Sequence, residues 1–294
     1  MRAEACHCPI AARAAADAVE GFMRGGGHGG ACAAWRHGGQ EAMAASAARL
    51  LRACWSAGVD FALPPRCPGC GQIVDGDHRF CIGCWQALAF LGPPACAMCA
   101  LPLPHDGGEG ALCGACHADP PAFDRAYAAV AYGEVARTVA LRLKYGGRPG
   151  VARTMAGQMA RLVRDAPQDM LVAAVPLHRW RLWRRGYNQA LLIARAVAGH
   201  CGLECRQDLL VRTKPTPVLR GLGRKARARA VAGAFAVPAV HRGMLRERRV
   251  LLVDDVFTSG ATAQACAKAL KRAGAAEVRL LCWARVLRDD AEGR

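Results

Sequence analysis

The hydrophobic pattern divides the 294-residue chain into a weakly patterned first part and a regularly alternating second part. After about residue 120, short apolar runs alternate with longer amphipathic stretches, several of which end at glycine. The short runs predict strands and the longer stretches predict helices. Alternating strands and helices indicate an α/β domain with a mainly parallel sheet. The predicted strands are 126–132, 170–175, 209–212, 250–253 and 278–283, and the predicted helices are 134–145, 151–165, 189–198 and 261–273.

Four segments follow from this pattern. Residues 1–41 are rich in alanine and glycine without a sustained apolar period, so we expect a disordered leader. Residues 42–65 have apolar positions at helical spacing before Pro64 and Pro65, which predicts a helix and a linker. Residues 66–119 form a cysteine-rich module whose core is too small to fold without metal. Residues 120–290 form the α/β domain.

The charge is unevenly distributed. The chain has 40 Lys and Arg against 23 Asp and Glu, and residues 176–249 alone contain seventeen basic and three acidic residues. Such a field attracts phosphorylated metabolites or nucleic acid, although a solvated arginine-rich surface explains any single arginine equally well. Because the sequence lacks a long apolar stretch and a secretory signal, we expect a cytoplasmic protein with no membrane partner.

Half of the sixteen cysteines fall into four Cys-x-x-Cys pairs. Gaps of ten and thirteen residues separate the pairs within each successive set of four, which is the spacing of compact Cys₄ zinc sites. We expect two structural zinc ions held by sequential pairs, with a cross-braced arrangement as the alternative. The predicted ligands are Cys67, Cys70, Cys81, Cys84, Cys96, Cys99, Cys113 and Cys116.

The segment Val250–Thr262 contains the most specific chemistry. An apolar strand leads directly to Asp254 and Asp255, and ligands of open α/β sheets bind beyond the carboxyl ends of strands. The next turn brings hydroxyls and backbone N–H groups to a helix start, which favours an anion. These features suit a sugar phosphate, with carboxylates on the ribose hydroxyls and the turn on the 5-phosphate. The predicted phosphate-binding residues are Thr258, Ser259, Gly260, Ala261 and Thr262.

This segment resembles the motif of type I phosphoribosyltransferases that binds 5-phosphoribosyl-1-pyrophosphate (PRPP). The resemblance implies a type I phosphoribosyltransferase fold with a small N-terminal zinc-ribbon module. It also implies a reaction in which a nucleophile displaces pyrophosphate from PRPP, with Mg²⁺ accompanying the pyrophosphate. Asp254 and Asp255 would be the catalytic residues, holding the ribose hydroxyls and offsetting positive charge in the transition state.

Two further elements resemble the ComF family of competence-associated proteins. An Arg-Gly-aromatic-Asn-Gln element begins at Arg185, after a strand that ends in Val175-Pro176, and Lys144-Tyr145 ends a predicted helix. Arginine side chains and glycine backbone N–H groups can hold pyrophosphate, although a basic entry to a helix and a lysine capping a helix end are the alternatives. The four cysteine pairs match the double zinc ribbon of this family. The resulting candidates for pyrophosphate binding are Lys144, Arg184, Arg185 and Gly186.

A basic segment over residues 213–231 contains Pro215, Pro217, Gly221 and Gly223, which predicts a mobile loop. It resembles the flexible loop of the ComF family, and Arg227 is a further candidate for pyrophosphate binding. Matches are found at Thr216, Leu222, Arg227 and Phe235, whereas Leu219 and Ala230 replace the family's Gln and Asn. Loss of these two polar groups makes PRPP binding a stronger prediction than turnover.

Two functions from different classes therefore remain. One is a phosphoribosyltransferase that uses PRPP and an unidentified nucleophile. The other is a nucleic-acid-binding accessory protein with a sensory or relic PRPP site, for which the resemblance implies single-stranded DNA and competence or recombination proteins as partners. A glutamine-dependent amidotransferase is not expected, because that chemistry needs an N-terminal catalytic cysteine on a large glutaminase domain.

Overall fold

The structure is a computed structural model that describes residues 64–108, 110–215 and 223–287. The predicted leader (1–41) and nearly all of the predicted helix and linker (42–65) lie outside these ranges. The described residues belong to one structural unit, which begins at Pro64.

Strands and helices alternate along the chain, but the predicted strand 209–212 is reduced to Val211–Arg212, and the two-residue strands Glu204–Cys205 and Phe235–Ala236 were not predicted. The strands are β1 Arg125–Ala131, β2 Leu171–Ala174, β3 Glu204–Cys205, β4 Val211–Arg212, β5 Phe235–Ala236, β6 Arg249–Phe257 and β7 Glu277–Arg285. The helices are α1 Ile82–Gln86, α2 Gly114–Ala118, α3 Glu134–Tyr145, α4 Val151–Ala160 with a 3₁₀ turn at Arg161–Val163, α5 Arg179–Arg185, α6 Gln189–Cys201, α7 Arg224–Val231, α8 Ala239–Leu245 and α9 Ala261–Arg272.

Five strands form a parallel sheet in the order β1-β7-β6-β2-β3. Strand β6 lies at the centre, and its residues Val250–Val253 are fully buried because helices cover the sheet. Strand β7 is buried equally deeply, and its Trp283 donates its indole N–H to the carbonyl of Ala136 at 3.1 Å. Strands β4 and β5 form a separate antiparallel pair of two residues each. The α/β class and the parallel sheet predicted from the sequence are confirmed.

The cysteine module lies on the N-terminal side of this domain in sequence and packs onto it. Each half contains a short hairpin closed by a single bridge, Arg66 with Ile73 and Ala95 with Pro102. Phe90 forms a further antiparallel bridge to Val130 of β1. The module therefore adds to the edge of the parallel sheet beside β1.

Two loop predictions were wrong within the described residues. The stretch after Leu177 was expected to be a loop, but it forms α5, which His178 caps through its imidazole and which ends at Gly186 with φ +80°. The end of the predicted mobile loop forms α7, because its alternating alanine and arginine residues favour a helix once the prolines and glycines have passed. None of the helices in the described residues is long and apolar enough to cross a membrane.

Candidate phosphate and zinc sites

The two carboxylates at the end of β6 point to opposite faces of the sheet, as successive strand residues do. Asp255 is buried, and Asp254 is mostly buried and accepts a hydrogen bond from the Asp255 backbone N–H at 2.8 Å. The ammonium group of Lys144, at the end of α3, pairs with the Asp255 carboxylate. The predicted lysine and the predicted acids therefore form one cluster, although they are more than one hundred positions apart in sequence.

Burial and proximity shift the pKa values in this cluster. Burial, reinforced by the neighbouring Asp255, raises the pKa of Asp254 to about 8. Burial opposes charge on Lys144, but the carboxylates of Asp255 and Asp254 outweigh it, so the pKa of Lys144 is raised. The cluster therefore places a charged Lys144 next to two carboxyl groups. A bound cation or added hydrogen-bond donors would stabilise the ionised form of Asp254.

The segment Thr258–Thr262, called here the candidate phosphate loop, follows the carboxylates and opens α9. Gly260 has φ +75° and is the N-cap of α9. A Cβ atom at this position would lie 2.7 Å from Cε2 of Phe257, so only glycine fits between the loop and the ring. Thr258 is exposed, and Ser259 and Thr262 are partly exposed. The loop therefore presents hydroxyls beside the backbone N–H groups of a twelve-residue helix.

The Arg-Gly-aromatic-Asn-Gln element lies against the end of α3. Tyr187 donates its hydroxyl to the carbonyl of Leu143 at 2.5 Å, and the Arg185 guanidinium lies 5.1 Å from the centre of the Tyr145 ring. Asn188 caps α6 through its side-chain oxygen and donates to the carbonyl of Val175 at 3.1 Å. These contacts bring Arg185 close to Lys144, and the two positive charges repel each other. Arg184 and Gly186 are exposed next to them.

Arg227 lies on α7, and it lines a cavity of about 370 Å³ together with Thr258, Ser259 and Gly260. The structure thus places this pyrophosphate candidate beside the candidate phosphate loop. Ala230 is partly buried on the same helix, and Phe235 lies in β5. The other loop positions singled out in the sequence, Thr216, Leu219 and Leu222, lie outside the described residues.

Sequence reasoning missed two arginines that border the site. Arg212 ends β4 within electrostatic range of Asp254, and burial, with the nearby charge of Arg181, lowers its pKa. Arg285 ends β7, is only 8% exposed, and lies with its guanidinium 4.5 Å from the centre of the Phe257 ring. In the sequence, each of these arginines directly follows an apolar run, Arg212 in Leu-Leu-Val-Arg and Arg285 in Leu-Cys-Trp-Ala-Arg, and this pattern could have identified them. That position places the charge at the carboxyl edge of the fold, where ligands bind.

The eight paired cysteines form two groups, and the structure shows the sequential arrangement. The sulfurs of Cys67, Cys70, Cys81 and Cys84 lie within 4.8 Å of one another, as do those of Cys96, Cys99, Cys113 and Cys116. A zinc ion about 2.3 Å from four tetrahedral thiolates separates the sulfurs by roughly 3.8 Å. The Cys70–Cys81 and Cys99–Cys113 sulfur pairs are 3.6 and 3.7 Å apart, so both groups fit zinc.

The pKa values of the cysteine thiols differ within each group. Burial disfavours the thiolate of Cys67, but backbone N–H groups of Cys81, Cys70 and Gly69 outweigh it and lower the pKa to about 6. Cys96 behaves in the same way, and its pKa falls to about 7. Burial acts the other way on Cys99, whose pKa rises to about 11, and it also raises the pKa values of Cys84 and Cys116. Since a thiolate is the form that binds zinc, these ligands would release their protons when the metal binds.

Comparison with known proteins agrees with this arrangement. The double zinc ribbon domain matches residues 58–117. Competence protein F of Haemophilus influenzae is 30% identical over 227 residues, covering 75% of this chain and 96% of that protein. The DNA utilization protein YhgH of Salmonella typhi is 30% identical over 198 residues, covering 65% of this chain and 84% of that protein.

Among solved structures, the chain is similar to the glutamine PRPP amidotransferase of B. subtilis at 20% identity and a TM-score of 0.32. That similarity covers 48% of this chain and 30% of the amidotransferase chain. One family accounts for three observations: the two groups of four cysteines, the parallel sheet, and a match that covers 96% of competence protein F. The chain belongs to the ComF family, and its cysteine module is a double zinc ribbon.

Proposed function

We propose that the chain binds PRPP with Mg²⁺ and transfers its phosphoribosyl group to a nucleophile. The observation that carries the proposal is the cluster at one edge of the sheet, where Asp254, Asp255 and Lys144 lie next to the candidate phosphate loop. The two aspartates suit the ribose hydroxyls, Lys144 suits pyrophosphate, and the candidate phosphate loop suits a 5-phosphate. In this proposal residues 66–119 are the zinc-ribbon module and residues 120–290 are the transferase domain.

The chemistry follows from the charges in the cluster. The bond between the anomeric carbon and pyrophosphate breaks, pyrophosphate leaves with the electron pair, and the nucleophile forms the new bond and loses a proton. The ribose becomes positively charged in the transition state, and the two aspartates lie where they can offset that charge. Lys144, Arg185 and Arg227 are cations for the departing pyrophosphate.

Magnesium fits the oxygen donors of this site. Mg²⁺ binds carboxylates and phosphate oxygens and keeps several waters, so PRPP itself would supply much of its coordination. Asp254 is the available carboxylate, because Asp255 is already paired with Lys144. When bound, the ion would neutralise charge on the pyrophosphate leaving group.

The binding step is tested by calorimetry of PRPP in the presence of Mg²⁺. We expect wild type to bind and Asp254→Asn to bind about tenfold more weakly or worse, because charged hydrogen bonds to the ribose are lost. The matched control is Asp169→Asn. Asp169 is an exposed carboxylate that pairs with Arg249 at the start of β6, at the opposite edge of the sheet, and its loss should change the affinity by less than about twofold. Absence of binding by wild type would refute the proposal.

Turnover requires a separate measurement, because Ala230 and Leu219 replace polar residues of the family pattern. A screen for pyrophosphate release with PRPP and a panel of amines and other nucleophiles identifies the acceptor. Release by wild type and not by Asp254→Asn would support transfer, whereas binding without release from any acceptor would favour a sensory site.

A second candidate function, binding of single-stranded nucleic acid, is favoured by the surface of α5. Trp180 and Trp183 are 62% and 78% exposed and lie edge to face with ring centres 6.1 Å apart. Exposed arginines, Arg179 and Arg184, flank them on the same helix. Exposed aromatic rings beside cations suit stacked bases and a phosphate backbone. Two relatives are named for competence and for DNA utilization, which agrees with this function.

The surface of α5 is tested by fluorescence titration with a single-stranded oligonucleotide at several salt concentrations. Replacing both Trp180 and Trp183 with alanine should weaken binding by about tenfold or more, because each lost stacking contact contributes roughly 1–3 kcal/mol. The matched control replaces Trp85, an exposed tryptophan of α1 in the first half of the cysteine module. Equal binding by all three proteins, or affinity that does not depend on salt, would contradict a role for α5 in nucleic-acid binding.

A further inference from the structure

Arg285 occupies a fixed position between the cysteine module and the candidate phosphate loop. It is the last residue of β7 and pairs in register with Phe257 of β6. The Val286 N–H donates to the carbonyl of Phe257 at 2.9 Å, and the Tyr132 N–H donates to the carbonyl of Arg285 at 2.8 Å. The backbone that carries this arginine is therefore held from both sides.

The side chain of Arg285 makes two contacts in opposite directions. Its Nη2 atom donates to Sγ of Cys99, a member of the second cysteine group, at 3.4 Å. Its guanidinium lies against the Phe257 ring, and that ring leaves no room for a Cβ atom at Gly260. A continuous chain of contacts thus runs from a zinc ligand to the turn of the candidate phosphate loop.

Charge explains why this arginine depends on the cysteines. Among the described residues no carboxylate pairs with Arg285, and its Nε and Nη1 atoms are buried without a hydrogen-bond partner. A buried cation is costly unless an opposite charge compensates it. A zinc ion with four thiolates carries a net negative charge and supplies that compensation. Removal of zinc would take this compensation away from the contact between Arg285 and Cys99.

A cavity separates the second cysteine group from the candidate phosphate loop. It has a volume of about 370 Å³, and its walls include Cys99, Cys116, Arg285, Phe257 and Gly260. Because this space lies between the two, the contact through Arg285 and Phe257 is a direct connection across the gap. Phe123 packs edge to face against the Phe257 ring, with ring centres 5.9 Å apart. Its phenyl side chain has no polar group that could bond to the cysteine sulfurs.

We propose that Arg285 is a positioning residue that couples zinc binding by Cys96, Cys99, Cys113 and Cys116 to the affinity of the candidate phosphate loop for PRPP. This inference rests on the proposed function, since it takes PRPP as the ligand of the loop. Coupling is reciprocal, so PRPP must also tighten zinc binding at this group by the same factor.

The first test measures PRPP affinity in the zinc-loaded full chain by calorimetry, with zinc content determined for each variant. Arg285→Met should keep both zinc ions and bind PRPP about tenfold more weakly, and Arg285→Lys should recover part of the loss because it keeps the charge. The matched control is Arg142→Met, which removes an arginine that contacts the first cysteine group through the backbone carbonyls of Cys67 and Pro68. It should change the affinity by less than about twofold.

The second test does not depend on a variant of the buried arginine. Wild type is exposed to a zinc chelator with and without PRPP and Mg²⁺, and the released thiols are alkylated and assigned by mass spectrometry. PRPP should slow alkylation of Cys96, Cys99, Cys113 and Cys116 by about tenfold and leave the other group within about twofold.

The outcomes separate the two proposals. If PRPP binds but both cysteine groups lose zinc at unchanged rates, or if zinc-loaded Arg285→Met binds PRPP like wild type, the coupling is refuted and the proposed function stands. If wild type does not bind PRPP at all, the proposed function is refuted and the coupling falls with it.

Discussion

The two cysteine groups have similar spacing, yet they contact the α/β domain in different ways. In the first group, Cys67–Cys84, Arg142 of α3 donates to the backbone carbonyls of Cys67 and Pro68 at 3.1 and 2.9 Å. In the second group, Cys96–Cys116, Arg285 of β7 donates to the sulfur of a zinc ligand. One contact uses neutral carbonyls that exist with or without metal, whereas the other uses the charge that zinc maintains.

The two groups also differ in burial. All four cysteines of the second group are buried and belong to the main core, whereas Cys70 of the first group is exposed and Cys81 only partly buried. Each cysteine group contacts an element that lies next to a different half of the candidate site. The first contacts the helix that carries Lys144, and the second contacts the strand next to the candidate phosphate loop. Because the two metal sites contact the same domain through chemically different groups, we expect them to contribute unequally to its stability.

The largest expected effect is the loss of a zinc ligand, and it should be greater in the second group. Cys99→Ser removes a buried ligand from the core, and we expect the free energy of unfolding to fall by about 4 kcal/mol or more. Cys70→Ser, in the exposed group, should cost about half as much. The measurements are urea denaturation and zinc content.

A matched control for both is Cys201→Ser, a partly buried thiol of α6 outside either group, which should cost less than about 1 kcal/mol. Equal losses for Cys99→Ser and Cys70→Ser would break the comparison between the two groups.

A smaller loss of stability is expected from replacement of Lys144, which lies on the helix that the first cysteine group contacts. Lys144→Met leaves the buried carboxylate of Asp255 without its partner, and we expect a loss of about 3 kcal/mol. Adding Asp255→Asn should recover part of this loss, because no buried charge then remains. Denaturation of the four proteins in the cycle measures the coupling. This half of the site is held by its own ion pair, so a coupling energy that vanished on removal of zinc would show that this half also depends on the metal.

The sequence predicted the parts of this molecule that depend on local pattern. Strand β6 and the helix after it were placed within a few residues, because an apolar run followed by acids and a Thr-Ser-Gly turn fits few other structures. The spacing of the cysteines was enough to group them, since each Cys-x-x-Cys pair forms one half of a tetrahedral site. Helix α3 was predicted with the bounds that the structure shows.

Contacts between distant segments were beyond the reach of the pattern. The ion pair of Lys144 with Asp255 and the contact of Arg285 with Cys99 each join residues more than one hundred positions apart, and only the folded sheet brings them together. Short elements were missed for a different reason. Helices α1, α2 and α8 span seven residues or fewer, and so short a segment contains too few turns for a period to emerge.

The smallest change, about 1 kcal/mol for one pH unit, is expected in the dependence of stability on pH that belongs to the carboxylate half of the site. Burial raises the pKa of Asp254 from 3.8 to about 8, so the folded protein holds a proton that the unfolded chain has already released between these values. The unfolded state binds fewer protons there, and the free energy of unfolding must fall as pH rises through this window.

We expect a fall that approaches about 1 kcal/mol per pH unit near pH 6 and is absent in Asp254→Asn. Asp169→Asn, which removes an exposed carboxylate, should keep the slope of wild type. Urea denaturation between pH 5 and pH 8 in the presence of zinc measures it, and the range avoids the acid in which thiolates release the metal. If Asp254→Asn showed the same slope, Asp254 would not be the titrating group. The dependence on pH would then not belong to the carboxylates at the edge of the sheet.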